Sequence, residues 1–220
     1  MIEMPDPKLK WEYENGFYLT CDPTRISKIL AHYELFKKVL DLPGAIVECG
    51  VFKGASLARF AMFRDLFGNS YSKKIIGFDM FGPFPETRHK GDQKFRDRFI
   101  AEAGEQSISV DQLQDVLAGN GCIDNVELVA GDVCDTIPKY VEENPQLRIS
   151  LLNLDTDIYE PAVTILENLY PRIVPGGVLI LDDYGTFPGE TEAVDEYFRD
   201  HKIEIKKLPF CMTPSYVIKN

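Results

Sequence analysis

The chain has 220 residues, which suffice for one α/β domain with a full core but not for two large domains. Its 45% hydrophobic and 27% charged residues are ordinary for a folded protein and exclude a disordered or low-complexity chain. The net charge of -11, with no run of Lys or Arg, argues against a nucleic-acid partner, because phosphate binding usually needs a basic surface.

Two further features bear on where the protein works. No apolar segment approaches the length that crosses a bilayer, and residues 1–16 have neither the basic nor the apolar region of a signal peptide. The five cysteines are scattered and include no C-x-x-C pair, which indicates reduced thiols rather than disulfides or a zinc site. We therefore expect a cytoplasmic protein with no membrane partner.

The first regular element follows an irregular start and is a helix within residues 22–44. Asp22 can cap its N-terminus, Pro23 suits its first turn, and apolar residues recur behind them at helical spacing. Pro43 and Gly44 mark the end of this pattern. Residues 1–44 are thus predicted to be the N-terminal helical segment of a single domain that covers the whole chain.

Strand-like and helical patterns alternate through the rest of the chain. Five apolar strands are predicted, in the segments AIVECGV, KKIIGFDMF, NVELVAGDV, RISLLNLD and GVLILDD. The last 19 residues contain two strand-like runs with no helix between them, which predicts an antiparallel hairpin at the sheet edge. The expected fold is α/β, a Rossmann-like doubly wound sheet of seven strands, mostly parallel, with a C-terminal antiparallel hairpin.

A long segment, about residues 81–121, separates the second predicted strand from the third. It is charged, opens with Pro and Gly residues, and far exceeds the usual length of a connection. We expect it to be a lid-like insertion beside the active face of the sheet, and we call it the insertion. His89 lies within it and is more simply explained as a surface histidine than as a catalytic group.

The turn after the first strand is the first candidate for ligand binding, because open parallel sheets bind ligands at the carboxyl ends of their strands. Glu48 ends that strand, Gly50 and Gly54 follow in the turn, and Ser56 opens the next helix. Glycines let a ligand approach the backbone closely, and a helix N-terminus favours negative charge. The pattern is neither a Walker A loop nor G-x-G-x-x-G, and a simple tight turn accounts for it about as well.

Acidic residues also end the second and third strands. Asp79 is placed to accept hydrogen bonds from the two hydroxyls of a ribose, and Asp132, followed by Val133, from an adenine amino group. Each of these acids could instead be a cap or turn residue. Together with the glycine turn they follow the order in which a nucleoside would lie across the sheet edge, which favours cofactor binding.

Two pairs of aspartates follow the fourth and fifth strands. Asp155 and Asp157 stand in LLNLDTDIYEP, and Asp182 and Asp183 stand in VLILDDYG. One crossover helix joins these strands, so the four carboxylates should converge and repel one another unless a cation holds them. Such oxygen ligands select Mg²⁺, Mn²⁺ or Ca²⁺, and the alternative is a set of unrelated solvent-facing loop carboxylates.

Taken together, these residues resemble the class I methyltransferases that use S-adenosylmethionine. More narrowly, the chain resembles the macrocin O-methyltransferase family of metal-dependent sugar O-methyltransferases. The most specific part of the likeness is LNLDTDIYEPAVTILENLYPRIVPGGVLILDDYG, with its D-x-D-x-Y-E segment, P-G-G turn and D-D-Y pair in the order of that family. VECGVFKGAS resembles the cofactor loop, and GFDMF resembles the acid at the end of the second strand.

The resemblance implies a role for each aspartate of the two pairs. Asp155, Asp182 and Asp183 would bind a divalent ion, most simply Mg²⁺, and Asp157 would be the general base. The implied methyl donor is S-adenosyl-L-methionine, and the implied acceptor is a hydroxyl of a small sugar or glycoside. A homo-oligomer is also expected from this resemblance.

Three other functions compete with this interpretation. A phosphatase of the haloacid dehalogenase type also has a D-x-D motif, but on its first strand and ending in Thr or Val, whereas DTDIY follows the fourth strand. A dinucleotide-dependent oxidoreductase is disfavoured by the missing G-x-G-x-x-G. A catalytically silent protein that binds nucleoside or sugar as a scaffold stays open, although acids stand at all four metal and base positions.

Overall fold

A seven-stranded sheet forms the centre of the structure, a computed structural model that describes all residues from 1 to 220. The strands are β1 (Ala45–Cys49), β2 (Ile75–Asp79), β3 (Val126–Ala130), β4 (Ile149–Leu154), β5 (Ile173–Leu181), β6 (Lys206–Lys207) and β7 (Ser215–Ile218). The helices are α1 (Lys10–Thr20), α2 (Pro23–Lys37), α3 (Ala55–Phe67), α4 (Gln93–Ala103), α5 (Val110–Gly119), α6 (Val133–Glu143), α7 (Tyr159–Leu169) and α8 (Pro188–Phe198). None of them combines the length and the apolar character needed to cross a membrane.

The strand order is β3-β2-β1-β4-β5-β7-β6. The first five strands are parallel, whereas β7 runs antiparallel to both β5 and β6. This confirms the predicted doubly wound sheet with a C-terminal antiparallel hairpin. The chain builds outward from β1 to β3 and then returns to the other side of β1, so the order reverses between β1 and β4. A ligand site is expected at the carboxyl ends of these two strands.

Each face of the sheet is covered by its own hydrophobic core. Val47 and Leu152 belong to the core that includes α6, α7 and α8, and Ile46 and Leu151 belong to the core that includes α2, α3 and α5. Neighbouring residues of one strand thus point to opposite faces and are buried on both. This double burial explains why the central strands read as continuous apolar runs in the sequence.

The N-terminal region differs from the prediction in one respect. The helix α2 and its cap are confirmed, since Asp22 accepts a hydrogen bond from the backbone N–H of Thr24 at 2.9 Å. The prediction of an irregular start was wrong, because residues 10–20 form α1. The apolar residues of α1 do not recur on one face of the helix, and none of its residues is buried. The sequence therefore has no helical periodicity that would have indicated this helix.

The insertion has regular structure of its own, in α4 and α5. A capping box begins α5, in which Ser109 and Gln112 exchange hydrogen bonds between side chain and backbone. The α5 side chains Leu113 and Leu117 belong to the hydrophobic core on the α2 and α3 face. Half of the insertion is therefore packed as core, and its proposed action as a lid concerns residues 81–103.

Candidate active site

A cleft of about 380 Å³ lies at the carboxyl edge of the sheet, where the strand order reverses. Its walls come from the turns after β1 to β5, from α2 and from the insertion. The predicted cofactor residues that line it are Gly50, Ser56, Asp79, Asp132 and Val133. Glu48 and Gly54 do not line the cleft, so the structure gives no support for direct ligand contacts from these two residues.

The turn after β1 depends on Gly50, which has a φ of +90°. A Cβ atom at this position would overlap the carbonyl oxygen of Asp155. Glycine is therefore required both by the backbone conformation and by the close approach of the two turns. The turn after β1 and the turn at Asp155 are thus held in direct contact.

Gly54 has a different explanation. It precedes α3 with a φ of +82°, and an added Cβ would lie 2.8 Å from Cδ1 of Leu113 on α5. This glycine lets the start of α3 pack against the insertion. Packing therefore accounts for this glycine, and its cofactor contact stays a prediction.

The carboxylate of Asp79 already accepts four hydrogen bonds within the protein. One oxygen accepts from the backbone N–H groups of Val51 at 2.9 Å and Phe52 at 3.0 Å. The other accepts from the N–H of Phe81 at 2.6 Å and the hydroxyl of Ser107 at 3.0 Å. Because a carboxylate has about four acceptor positions, a ribose contact here requires that one of these donors be exchanged.

Glu48 is buried within β1 beside its register partner on β4, Asn153. The side-chain amide of Asn153 donates to the Glu48 carboxyl at 3.0 Å. Burial raises the pKa of Glu48 to about 7. The acid therefore belongs to the wall behind the cleft, and Asn153 is a partner that the strand pattern alone did not single out.

Asp132 begins α6, where one carboxylate oxygen accepts a hydrogen bond from the N–H of Cys134 at 2.9 Å. The cap interpretation is thus confirmed for this residue. Its side chain is also exposed on the cleft, and Val133 lies buried beside it. The adenine contact stays a prediction.

Three of the four predicted aspartates form one group at the ends of β4 and β5. Each of Asp155, Asp182 and Asp183 has a carboxylate oxygen within 4.8 Å of those of the other two. The strands are in register at Leu154 and Leu181, so the residues that follow emerge side by side. The predicted convergence of these three carboxylates is confirmed.

Asp157 lies next to this group in a strained conformation. Its φ is +64°, which is uncommon outside glycine, and its side chain is buried in the cleft wall. Burial, followed by the charge of Asp155, raises the pKa of Asp157 to about 8. Burial and the charge of Asp157 also raise the pKa of Asp183 well above its usual value. Ionisation of both acids at once is therefore unfavourable.

Lys28 and His32 of α2 complete the group and were not predicted. The ammonium of Lys28 lies 2.5 Å from Oδ2 of Asp182 and 3.7 Å from Oδ2 of Asp155. The buried ring of His32 places Nε2 3.8 Å from Oδ1 of Asp182 and Nδ1 3.0 Å from Arg59. Their spacing of four places both on one face of α2, but the sequence does not indicate what that face contacts.

Opposing effects act on the pKa values of the paired aspartates. Burial works to raise the pKa of Asp182, but the charge and the hydrogen bond of Lys28, together with the nearby ring of His32, outweigh it and hold the value low. For Asp155, burial and the neighbouring Asp182 raise the pKa despite Lys28. Asp182 is thus the ionised centre of the group.

Glu190, in the first turn of α8, is a further acid that the sequence did not single out. It is fully buried, and one of its oxygens accepts a hydrogen bond from the backbone N–H of Asp183 at 3.0 Å. Burial and the charge of Asp183 raise its pKa well above the usual value. The contact fixes the backbone of Asp183.

The chemistry of this group fits a divalent cation. Oδ1 of Asp182, Oδ2 of Asp183 and Oε2 of Glu190 are buried and have no hydrogen-bond partner. Buried oxygen atoms without partners are costly and usually have an explanation such as a bound ion. Carboxylate oxygens are also the ligands that Mg²⁺, Mn²⁺ and Ca²⁺ prefer.

A cluster of four phenylalanine side chains forms part of the lining of the cleft, and we call it the phenylalanine wall. Phe99 of α4 has its ring centroid 5.2 Å from that of Phe52, 5.4 Å from that of Phe84 and 6.5 Å from that of Phe187. All four rings line the cleft. His89 does not line it, because its ring stacks on Tyr159 and its Nε2 lies 3.1 Å from Glu192.

Comparison with known families gives a match over most of the chain. Residues 25–209 match the family model described as Macrocin-O-methyltransferase (TylF). Among solved structures, the crystal structure of CalS11, a calicheamicin methyltransferase, superposes with a TM-score of 0.79 at 30% identity. That superposition covers 97% of this chain and 86% of the other.

Two curated proteins illustrate the likeness at the sequence level. The 8-demethyl-8-(2,3-dimethoxy-alpha-L-rhamnosyl)-tetracenomycin-C 4'-O-methyltransferase of Streptomyces olivaceus is 31% identical over 65% of this chain. The mycinamicin III 3''-O-methyltransferase of Micromonospora griseorubida is 30% identical over 74% of it. The chain spans 54% and 63% of the length of these two proteins, respectively.

Proposed function

The chain belongs to the macrocin-O-methyltransferase family, and on that premise we propose that it transfers a methyl group from S-adenosylmethionine to a hydroxyl of a sugar. The acceptor is a small sugar or glycoside, and the reaction depends on a divalent ion, most simply Mg²⁺. The observation that carries this proposal is the group of Asp155, Asp182 and Asp183, which lies in the same cleft as the glycine turn after β1.

The methyl donor is proposed to lie across the ends of β1, β2 and β3. The turn at Gly50 and the N-terminus of α3 at Ser56 would let the backbone approach the methyl donor closely. Asp79 would bind the ribose by exchanging the Ser107 hydroxyl for a ribose hydroxyl, since this donor belongs to a side chain that can rotate. Asp132 has one carboxylate oxygen left for an adenine amino group.

The acceptor hydroxyl must lose its proton as it attacks, because a neutral alcohol is a poor nucleophile. Asp157, which lies in the cleft wall next to the group of three aspartates, is the proposed general base. A divalent ion held by Asp155, Asp182 and Asp183 would supply positive charge that lowers the pKa of the acceptor hydroxyl. The phenylalanine wall would exclude water and contact the apolar face of the sugar or its carrier.

The names of the two curated relatives agree with this acceptor class. One is named as a methyltransferase of a rhamnosyl derivative of tetracenomycin, and the other as a methyltransferase of mycinamicin III. We propose a sugar of the same general kind for this chain. The expected homo-oligomer and the cytoplasmic location stay predictions, which light scattering and cell fractionation can check.

The test is methyl transfer from S-adenosylmethionine to a panel of sugar nucleotides and glycosides, with and without chelator. We expect activity that chelator abolishes, Mg²⁺ or Mn²⁺ restores, and Asp155→Asn lowers at least about a hundredfold. Asp115→Asn, which removes an exposed carboxylate of α5, is the matched control and should leave activity unchanged. Turnover that resists both chelator and Asp155→Asn would contradict the metal mechanism.

Calorimetry with S-adenosylmethionine separates the enzyme from a silent binding protein. Cofactor binding followed by turnover on at least one acceptor supports the proposal. Binding without turnover on any acceptor of the panel would favour a scaffold role, and absence of binding would contradict both.

A further inference from the structure

Lys28 places a positive charge inside the carboxylate group that the proposed function assigns to a metal ion. Its ammonium lies 2.5 Å from Oδ2 of Asp182 and 3.7 Å from Oδ2 of Asp155. We propose that Lys28 is a built-in cation that competes with the divalent ion for these two aspartates. It would thereby set the metal affinity of the site and hold the site together when no metal is bound. This inference rests on the metal dependence in the proposed function.

The position of Lys28 is fixed by the fold and not by a flexible surface chain alone. It lies on the second turn of α2, a helix whose start is fixed by the Asp22 cap and Pro23. The side chain is 28% exposed, and that of Asp182 is only 5% exposed. A close ion pair with a buried partner is screened by water much less than a surface pair.

Competition follows from the geometry of the shared oxygen. A divalent ion bound between Asp155 and Asp182 would meet the ammonium of Lys28 on the same side chains, at distances where like charges repel. The ion must therefore displace the ammonium or share its ligands with it. In both cases, the repulsion from Lys28 or its displacement lowers the affinity of the site for the divalent ion.

Lys28 nevertheless leaves oxygen atoms of the group without a partner. Its one ammonium faces the carboxylates of Asp155, Asp182 and Asp183, and Oδ1 of Asp182 and Oδ2 of Asp183 accept no hydrogen bond. These free oxygens are what would attract a divalent ion in spite of the lysine, with release of any proton that the carboxyl groups hold. The expected role of Lys28 is thus to weaken metal binding without preventing it.

The test measures Mn²⁺ affinity of the purified full chain by electron paramagnetic resonance of the free ion, without cofactor or acceptor. We expect K28M to bind Mn²⁺ about tenfold more tightly than the unmodified chain, because one nearby positive charge is removed. K38M is the matched control. It removes the same charge from an exposed position at the end of the same helix and should leave the affinity unchanged.

A second measurement follows thermal unfolding of the same variants in chelator and in Mn²⁺. In chelator, K28M should be less stable than K38M, because the carboxylates have lost their cation, and Mn²⁺ should restore the difference. If K28M does not fold in chelator, K28Q, which keeps a hydrogen-bond donor, gives the same comparison. Mn²⁺ binding by K28M and K28Q that is no tighter than in the unmodified chain would overturn the inference alone, whereas no binding by any variant would overturn the metal dependence as well.

Discussion

The buried carboxylate of Asp92 accepts a hydrogen bond from the backbone N–H of Gly189 at 2.7 Å. Its other oxygen accepts from the N–H of Tyr159 at 2.9 Å. One side chain, at the start of α4, thus binds the first turns of α7 and α8, which follow the two aspartate pairs. A Cβ at Gly189 would overlap this carboxylate, so glycine is needed for the contact. Asp92 thus connects the insertion to the segments that follow the two aspartate pairs.

Replacing Asp92 with alanine should destabilise the protein strongly. The change leaves two backbone N–H groups without their acceptor in a buried environment, which costs about 3 kcal/mol in the free energy of unfolding. Urea denaturation measures this loss. Asp97→Ala removes an exposed carboxylate of the same helix and should change the stability by less than about 0.5 kcal/mol. Equal effects of the two changes would contradict the bridging role of Asp92.

Gly50→Ala tests the contact between the turn after β1 and the turn at Asp155. Alanine at a positive φ costs about 1 kcal/mol by itself, and here its Cβ would also overlap the carbonyl oxygen of Asp155. Gly185→Ala is the matched control, since its φ of +85° is similar and an added Cβ meets nothing within 4 Å. We expect Gly50→Ala to lose at least about 2 kcal/mol more than Gly185→Ala in the free energy of unfolding. Similar losses would show that the contact is unimportant.

Asp79→Asn should disturb the turn after β1, although the two side chains have nearly the same shape. The amide has only one acceptor oxygen, so its NH₂ group must face at least one backbone N–H that now donates to Asp79. We expect the affinity for S-adenosylmethionine, measured by calorimetry, to fall at least about tenfold, together with a stability loss of about 2 kcal/mol. Ser107→Ala removes only one hydrogen bond and should cost about 1 kcal/mol. An Asp79→Asn variant that binds the donor normally would speak against the proposed donor site.

Glu48→Gln should stabilise the protein at neutral and alkaline pH. The folded-state pKa of Glu48 is about 7, above its model-peptide value of 4.5, so ionisation favours the unfolded chain between these values. Stability is therefore lost as the pH rises from about 4.5 to about 7, by up to about 3 kcal/mol. Glutamine does not ionise, and its carbonyl oxygen can still accept the hydrogen bond from Asn153.

Chemical denaturation at pH 4.5 and pH 8 checks this prediction. Glu48→Gln should match the unmodified chain at the lower pH and exceed its stability at the higher pH. Glu142→Gln, on the exposed face of α6, is the control and should show no such dependence. A difference that does not change with pH would mean that Glu48 ionises normally in the folded protein.

The strand pattern predicted much of the fold and the convergence of three aspartates, because both follow from local features. An apolar run that ends in acid marks a buried strand and its carboxyl end, and parallel neighbours bring these ends together. Lys28 could not be found in this way, since 154 positions separate it from Asp182 and only the packing of α2 brings them together. Helix α1 could not be found because none of its residues is buried. The burial of Glu48 behind the cleft could not be found either, because the pattern does not say which strand residues face the cleft.

The insertion connects two parallel, hydrogen-bonded strands, so it leaves the carboxyl end of β2 at Asp79 and the chain enters β3 at the opposite end, where Val126 is paired with Ile75. Helix α5 of the insertion is packed in the core on one face of the sheet, whereas residues between 82 and 103 line the cleft. Within residues 81–103, Asp92 has to be kept, because it accepts hydrogen bonds from the first turns of the helices that follow the aspartates. Exchange of the cleft-lining residues on either side of Asp92 would change what the cleft admits and leave the group of aspartates after β4 and β5 in place.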